Sequence, residues 1–498
     1  MRNMTVAAFA AAVSIPASLV FSSPAQAAGD DEIARIREQL QEMKTAYEAR
    51  IASLEERLGR AEKRSGKQAE NRPNEARSAR APGREMPGEA APVRTPARAD
   101  AGFAAAPPVY ASAAPRQASP SAFNPEMSLI LSGSYARMSK DPEQRRLQGF
   151  MPSGGERLPE TRSFNLGETE LALSANIDPF FRGEFRMAVA PDNTIGVEEA
   201  NIQTLGLGHG FNVKAGRFLS GVGYLNEHHP HAWDFSDAPL PYQAFFGNAL
   251  GMDGVQARWL APTDLFLEFG VEAARSRSFP TTDETRGKNG GLSGSAFARL
   301  GGDAGVSNSW RAGLSYFAAR PRDRVYEDPL NATSSAFSGR SRTWIADFIW
   351  KWAPNGNARY RNLKIQGEYF SRPEKGDLTY DPDGAALVGD YKNRASGFYA
   401  QTVYQFLPRW RAGYRYDELR AGGASIGLVK SGALTIDDLP LLKSYRPKRH
   451  TVMLDFSPTE FSRVRVQFAR DRTRPEAVDN QLWIQYIMSM GAHGAHKF

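Results

Sequence analysis

The chain has 498 residues, 41% hydrophobic and 23% charged, with a formal net charge of +7 and no cysteine. The missing cysteine excludes disulfide scaffolds, Cys-ligated metal centres and cysteine nucleophiles. Beyond the N-terminus no uninterrupted apolar run reaches the ~18 residues of a helical membrane span, and a charge this mild and mixed in sign excludes nucleic-acid binding as a main task.

In chain order, residues 1–27 read as an export signal: Arg2 is the basic start, Thr5 to Phe21 is mostly apolar, and Ala25-Gln26-Ala27 is a small-x-small cleavage site. Residues 30–64 predict a coiled coil. Ile33, Ile36, Leu40, Met43 and Tyr47, then Ile51, Leu54, Leu58 and Ala61, form a heptad seam with one four-residue stutter. A lone seam needs a partner helix, and the isoleucines favour three strands, hence a homotrimer. Residues 65–125, rich in Pro, Ala and Arg (Ala81-Pro82-Gly83, Ala106-Pro107-Pro108), predict a disordered linker. Its arginines could touch peptidoglycan.

From residue 126 to 498 the period becomes two. Phe181, Phe185, Met187 and Val189 alternate with Arg182, Glu184 and Arg186. Trp344, Ala346, Phe348, Trp350 and Trp352 alternate with Ile345, Asp347, Ile349 and Lys351. One face is apolar and the other charged. A soluble sandwich and a membrane barrel both write this pattern, and the connections separate them. Tight links (Asp178-Pro179, Gly206 to Gly210, Leu407-Pro408-Arg409) alternate with long ones near 139–162, 223–250, 277–292, 321–340, 373–393 and 418–446. The expected fold is therefore an all-β, transmembrane, antiparallel up-and-down β-barrel of about 16 strands, in the outer membrane, surrounded by lipid, with the N-terminal segments in the periplasm. The aromatic Phe498, in register with Leu482, Ile484 and Tyr486, suits an outer-membrane assembly signal.

The stretch Val213-Lys214-Ala215-Gly216-Arg217-Phe218-Leu219-Ser220-Gly221-Val222-Gly223 resembles the strand that enters the third loop in phosphate-selective porins O and P. The ending Ser489 to Phe498 is similar to those of uncharacterised proteobacterial barrels, some labelled TonB-dependent receptors. The porin resemblance implies trimers, passive diffusion through a water-filled lumen, and narrowing by the third loop. The arginine ladder that would carry phosphate selectivity is not evident.

A barrel of this size leaves a channel whose inward charges set selectivity. Strand parity points Arg182, Arg186, Lys214, Arg258, Arg311, Lys364, Arg372, Arg411, Arg415, Arg463 and Arg465 inward, with Lys351, and fewer carboxylates: Glu184, Glu268, Glu272, Asp347, Glu368 and Asp417. Modest anion preference follows. The third loop carries Glu227, His228, His229, His231, Trp233, Asp234 and Phe235, read as a constriction with Trp233 and Phe235 against the wall and imidazoles at the opening, whose protonation near pH 6 would tune conductance. No cofactor is expected. The alternative use of His228, His229 and His231 is metal (zinc) capture, in an uptake protein or TonB-dependent-type receptor. A third reading makes the barrel the anchor of a cell-wall tether. No G-x-S-x-G, H-E-x-x-H or Walker pattern occurs, so no enzyme is expected.

Overall fold

The computed structural model describes residues 125–151, 162–190, 193–276 and 293–491. The export signal, the coiled coil, the linker up to residue 124 and Phe498 lie outside the described residues.

The strands are β1 (Glu126–Met138), β2 (Ser163–Leu166), β3 (Thr169–Asn176), β4 (Phe181–Val189), β5 (Ile195–Thr204), β6 (Phe211–Leu219), β7 (Gly251–Leu260), β8 (Phe266–Ser276), β9 (Ser293–Ala304), β10 (Asn308–Ala319), β11 (Arg324–Asp328), β12 (Thr333–Trp352), β13 (Asn362–Tyr380), β14 (Leu387–Leu407), β15 (Trp410–Arg420), β16 (Ser425–Ile426), β17 (Lys448–Thr459), β18 (Ser462–Arg474) and β19 (Ala477–Gly491). β2, β11 and β16 are short additions at one rim, paired to β1, β12 and β14. The other sixteen each pair antiparallel with the preceding and following wall strand, and β1 returns to β19 from Ser128↔Gly491 to Met138↔Gln481. The sheet is a closed ring, so the wall has no free edge to satisfy.

The alternation sets which side chains face out. Leu131, Val255, Phe269, Val271, Leu314, Trp344, Phe348, Tyr414, Val452, Val466, Phe468 and Ile484 are exposed on the outer wall, while their strand neighbours are buried within. A continuous exposed band of such residues is what hydrocarbon requires.

Two expected loops are largely strand. β11 and the start of β12 occupy 321–340, and β13 and β14 run through 373–393 to a tip at 381–386. Above the apolar band the outward face is polar (Arg340, Arg342, Lys375, Lys392), so hydrophobic alternation stops marking strand there. The inward face still does: Tyr326, Phe337, Leu378 and Tyr391 bury with Leu428, Leu439, Leu441 and Leu442 of the 421–447 loop.

The interior also departs from a purely aqueous lumen. The 220–250 loop (L3) folds inside, and Phe218, Leu240, Tyr242, Phe245, Phe246 and Leu250 form an apolar core with Phe317, Ile345, Phe370, Tyr399 and Leu419 from the wall and Leu147 and Phe150 from the first loop. The long-loop half of the barrel is packed, because L3 supplies greasy residues that meet greasy inward positions.

Candidate functional site

L3 leaves β6 through a hydrogen-bonded stem. Ser220 N–H donates to Leu250 O at 2.9 Å. The Asn226 carboxamide donates to Ser220 O (2.8 Å) and accepts from Leu250 N–H (2.7 Å). The chain then turns at Gly223 (φ +68°), where a Cβ would strike Glu368 Oε2 and the Tyr242 hydroxyl, a backbone position open only to glycine. Glu368 on β13 gathers the turn, accepting from Tyr224 N–H (3.0 Å), Leu225 N–H (3.1 Å), Tyr242 OH (2.9 Å) and Tyr399 OH (2.6 Å). A helix, Leu240–Phe246, follows, ending at Gly247 with φ 62°. Its Leu240 N–H donates to Asp417 Oδ1 at 3.0 Å. Phe245 stacks on Phe370 at 5.5 Å, and Phe246 meets Phe317 edge-on at 6.1 Å.

Charge holds the rest of the loop. Asp237 is fully buried between Arg415 Nη2 (2.9 Å) and Arg449 Nη2 (2.7 Å) and accepts from Gln467 Nε2 at 2.7 Å. Asp234 pairs with Lys364 and with Arg411 Nη1 (3.4 Å), and Glu227 with Arg258 and Arg299. Burial alone would raise the Asp234 carboxyl, but Lys364 and Arg411 outweigh it and hold it well below the usual carboxylate range. Asp237 is likewise lowered: burial opposes ionisation, and Arg415 and Arg449 override it. Arg465 Nη2 donates to Trp233 O (2.9 Å), Arg463 Nη2 to His231 O (2.5 Å) and Arg372 Nη1 to Phe245 O (3.3 Å).

Of the cations that parity points inward, Arg258, Arg372, Arg415 and Arg465 are buried against L3, where they bind the loop. Arg182, Arg186, Lys214, Arg311, Lys364, Arg411 and Arg463 are half-buried on the inner wall, as is Lys351. Arg182 lies beside Glu126 (3.1 Å), and the Arg311 guanidinium lies over the Tyr224 ring at 4.6 Å. Lys214, Arg311, Lys351, Lys364, Arg411 and Arg463 all sit near the tight-turn ends of their strands, so together they form a basic girdle beneath L3. Lys351 and Lys364 are directly opposed across β12 and β13.

In the loop, Trp233 is buried, with Nε1 donating to His228 O at 2.8 Å. Phe235 is buried with Val403 and Met453. The three histidines separate. His228 Nδ1 meets Tyr224 O at 3.0 Å, and burial pushes its imidazole down to about 4, so His228 does not supply the expected titration near pH 6. His229 and His231 turn instead to the wall, to Glu170 on β3 and Glu198 and Glu199 on β5.

Sequence reasoning missed the wall's contribution to the packed centre. Its one signal was apolar residues at inward parity: Ile345 and Ile349 amid the Trp and Phe of β12, and Phe370 beside Tyr369. The carboxylates near His229 were missed because Glu168, Glu170, Glu198 and Glu199 are remote from the loop in sequence.

A closed ring with an apolar exterior and an inward-folded, salt-linked loop defines a transmembrane β-barrel. No family model matches the chain. The chain belongs to the family of an uncharacterized protein of Aquifex aeolicus (strain VF5), with which it is 33% identical over 398 residues, covering 76% of this chain and 80% of the relative. Solved barrels similar to it include a loop L8 deletion mutant of OmpT from Vibrio cholerae (10% identical, TM-score 0.45, 74% of this chain and 99% of that one). They also include the outer membrane channel DcaP of Acinetobacter baumannii (11%, 0.42, 74% and 97%) and an anion-selective porin from Comamonas acidovorans (8%, 0.40, 74% and 99%).

Proposed function

We propose that the protein is a non-enzymatic outer-membrane porin, passing small hydrophilic solutes with a preference for anions, in which L3 sets the bore. The basic girdle beneath L3 carries this reading. Lys364 is tied to Asp234 of L3, but Lys351 lies directly opposite it, and opposed like charges work against a sheet's own stability, so the placement of Lys351 serves something other than the wall. A cationic ring in a narrow, low-dielectric passage lowers the entry cost of anions and raises that of cations. Half-buried carboxylates on the same inner surface, Glu168, Glu184, Glu198 and Glu227, are outnumbered by the half-buried cations. A trimer joined through residues 30–64 in the periplasm suits the same reading.

The test is reconstitution of the full protein in a planar bilayer with a KCl gradient. Discrete ion-passing steps and a reversal potential of anion sign are expected. A cation-favouring potential, or a bilayer that stays silent although the protein is inserted, would refute the proposal.

A further inference from the structure

His229 and His231 flank Pro230, which begins a single 3₁₀ turn (Pro230–Ala232). The two imidazoles lie 5.9 Å apart with 11° between planes, and the Nδ1 of each approaches Glu170. Glu170 Oε2 lies 3.3 Å from His229 Nδ1 and 3.4 Å from His231 Nδ1, and Glu198 Oε2 lies 3.0 Å from His229 Nδ1. Glu170 is sealed from solvent, 1% exposed. Its Oε1 accepts from Arg186 Nη1 at 2.8 Å, but its Oε2 accepts no hydrogen bond. Glu168 brings another carboxylate: ligand atoms of Glu168, Glu170, Glu198 and His229 all lie within 4.8 Å of one another.

We infer that these groups form a binding site for a divalent metal ion of the zinc class, with Glu168, Glu170, Glu198 and His229 as ligands and His231 beside Glu170. Three features support this. A tetrahedral ion with bonds of ~2.0–2.1 Å separates its ligand atoms by about 3.4 Å, close to the 3.3 Å from Glu170 Oε2 and the 3.0 Å from Glu198 Oε2 to His229 Nδ1. His229 Nε2 lies 2.8 Å from Glu199 Oε1, and a carboxylate on the far nitrogen is what orients a metal-ligating imidazole and frees the near one. Finally, four carboxylates surround the site, and the guanidinium of Arg186 is already shared among Glu170, Glu184 and Glu199. With Glu170 and Glu199 buried, Glu168 and Glu198 half-buried and Lys214 near Glu199, negative charge still exceeds positive and calls for a further cation. Mixed nitrogen and oxygen donors select zinc over calcium or magnesium, which prefer oxygen alone. His228, turned to Tyr224, is outside the set. The ion would staple L3 to β3 and β5, a role independent of which solute crosses the barrel.

The competing account is a buried imidazolium held by carboxylates with no metal. The test uses the full-length protein in detergent, stripped with EDTA, dialysed and offered Zn²⁺, with bound metal measured by elemental analysis and affinity by competition with a chromophoric chelator. Expected are one zinc per chain, loss of that zinc in Glu170→Gln and His229→Ala, weakening by about tenfold or more in Glu199→Gln, and no change in His228→Ala. Each variant is scored only after it keeps the heat-modifiable gel mobility of a folded barrel. Cobalt(II) in place of zinc should give d–d bands of tetrahedral intensity in the wild type. Wild-type protein that takes up no stoichiometric zinc, or takes up calcium in its place, overturns the assignment. So does zinc that survives both Glu170→Gln and His229→Ala, or is lost equally in His228→Ala. None of these readouts depends on conductance, so the porin proposal and this one can fail separately.

Discussion

Replacing Asp237 with asparagine tests whether buried charge keeps L3 inside the barrel. The substitution keeps shape and removes the anion between Arg415 and Arg449. Breaking a buried ion pair from one side typically costs ~3–5 kcal/mol. Arg415 would retain Asp417 at 3.0 Å, whereas Arg449 would be left with Asp417 at 3.6 Å and Asp471 at 4.0 Å. The Arg415 and Arg449 bonds to the Asp237 and Ala238 carbonyls, both 2.8 Å, would also survive. The low end, about 3 kcal/mol, is therefore expected, and at ~1.4 kcal/mol per tenfold it shifts the docked-to-undocked balance of the loop by roughly two orders of magnitude. The wall ladders do not pass through Asp237, so the barrel itself should persist. Single-channel recording should show larger or more frequent open levels, and protease should cut within residues 224–249 where the wild type resists. Unchanged current and unchanged protection in Asp237→Asn would refute the view that this pair docks the loop.

Lys351→Glu reverses one charge of the girdle and relieves its opposition to Lys364, so the reversal potential should move towards cations with folding unharmed; an unmoved potential places the selectivity element elsewhere. Phe370→Ala removes the ring against which Tyr242, Phe245 and Phe246 pack and should loosen the Leu240–Phe246 helix by ~3–5 kcal/mol, read as faster amide exchange there with the wall still protected. Asp234 and Asp237 have lowered folded values, so their stabilisation is complete above the ordinary aspartate value of ~3.9 and is lost only as pH falls through the lowered ones. The part of L3's protease protection that Asp237→Asn removes should therefore be constant from pH 7 to about pH 4, and its loss near pH 5 would contradict the Asp237 geometry.

The alternation that reads as Trp344-x-Ala346-x-Phe348 in the sequence is the outer wall of the barrel, because lipid imposes one simple demand on every outward position. Tight turns at 178–179 and 408–409 are as plain, since proline and short length leave few options. The interior obeys no such single rule. Arg415 and Arg411 look alike in sequence, yet one is buried with Asp237 and the other borders the girdle, and that difference is fixed by where L3 lies. Likewise, nothing along the chain singles out Glu170 until His229 and His231 are brought against it. Contacts between a loop and a distant wall are non-local and leave no period to detect.

The position of L3 also constrains how the molecule can be made. The loop is synthesised between β6 and β7, but Arg449 on β17 and Arg463 and Arg465 on β18 hold it. Its last bonds cannot form until the C-terminal strands have curved round, so the loop settles only as the ring completes, and its seating reports that the final strands are in place.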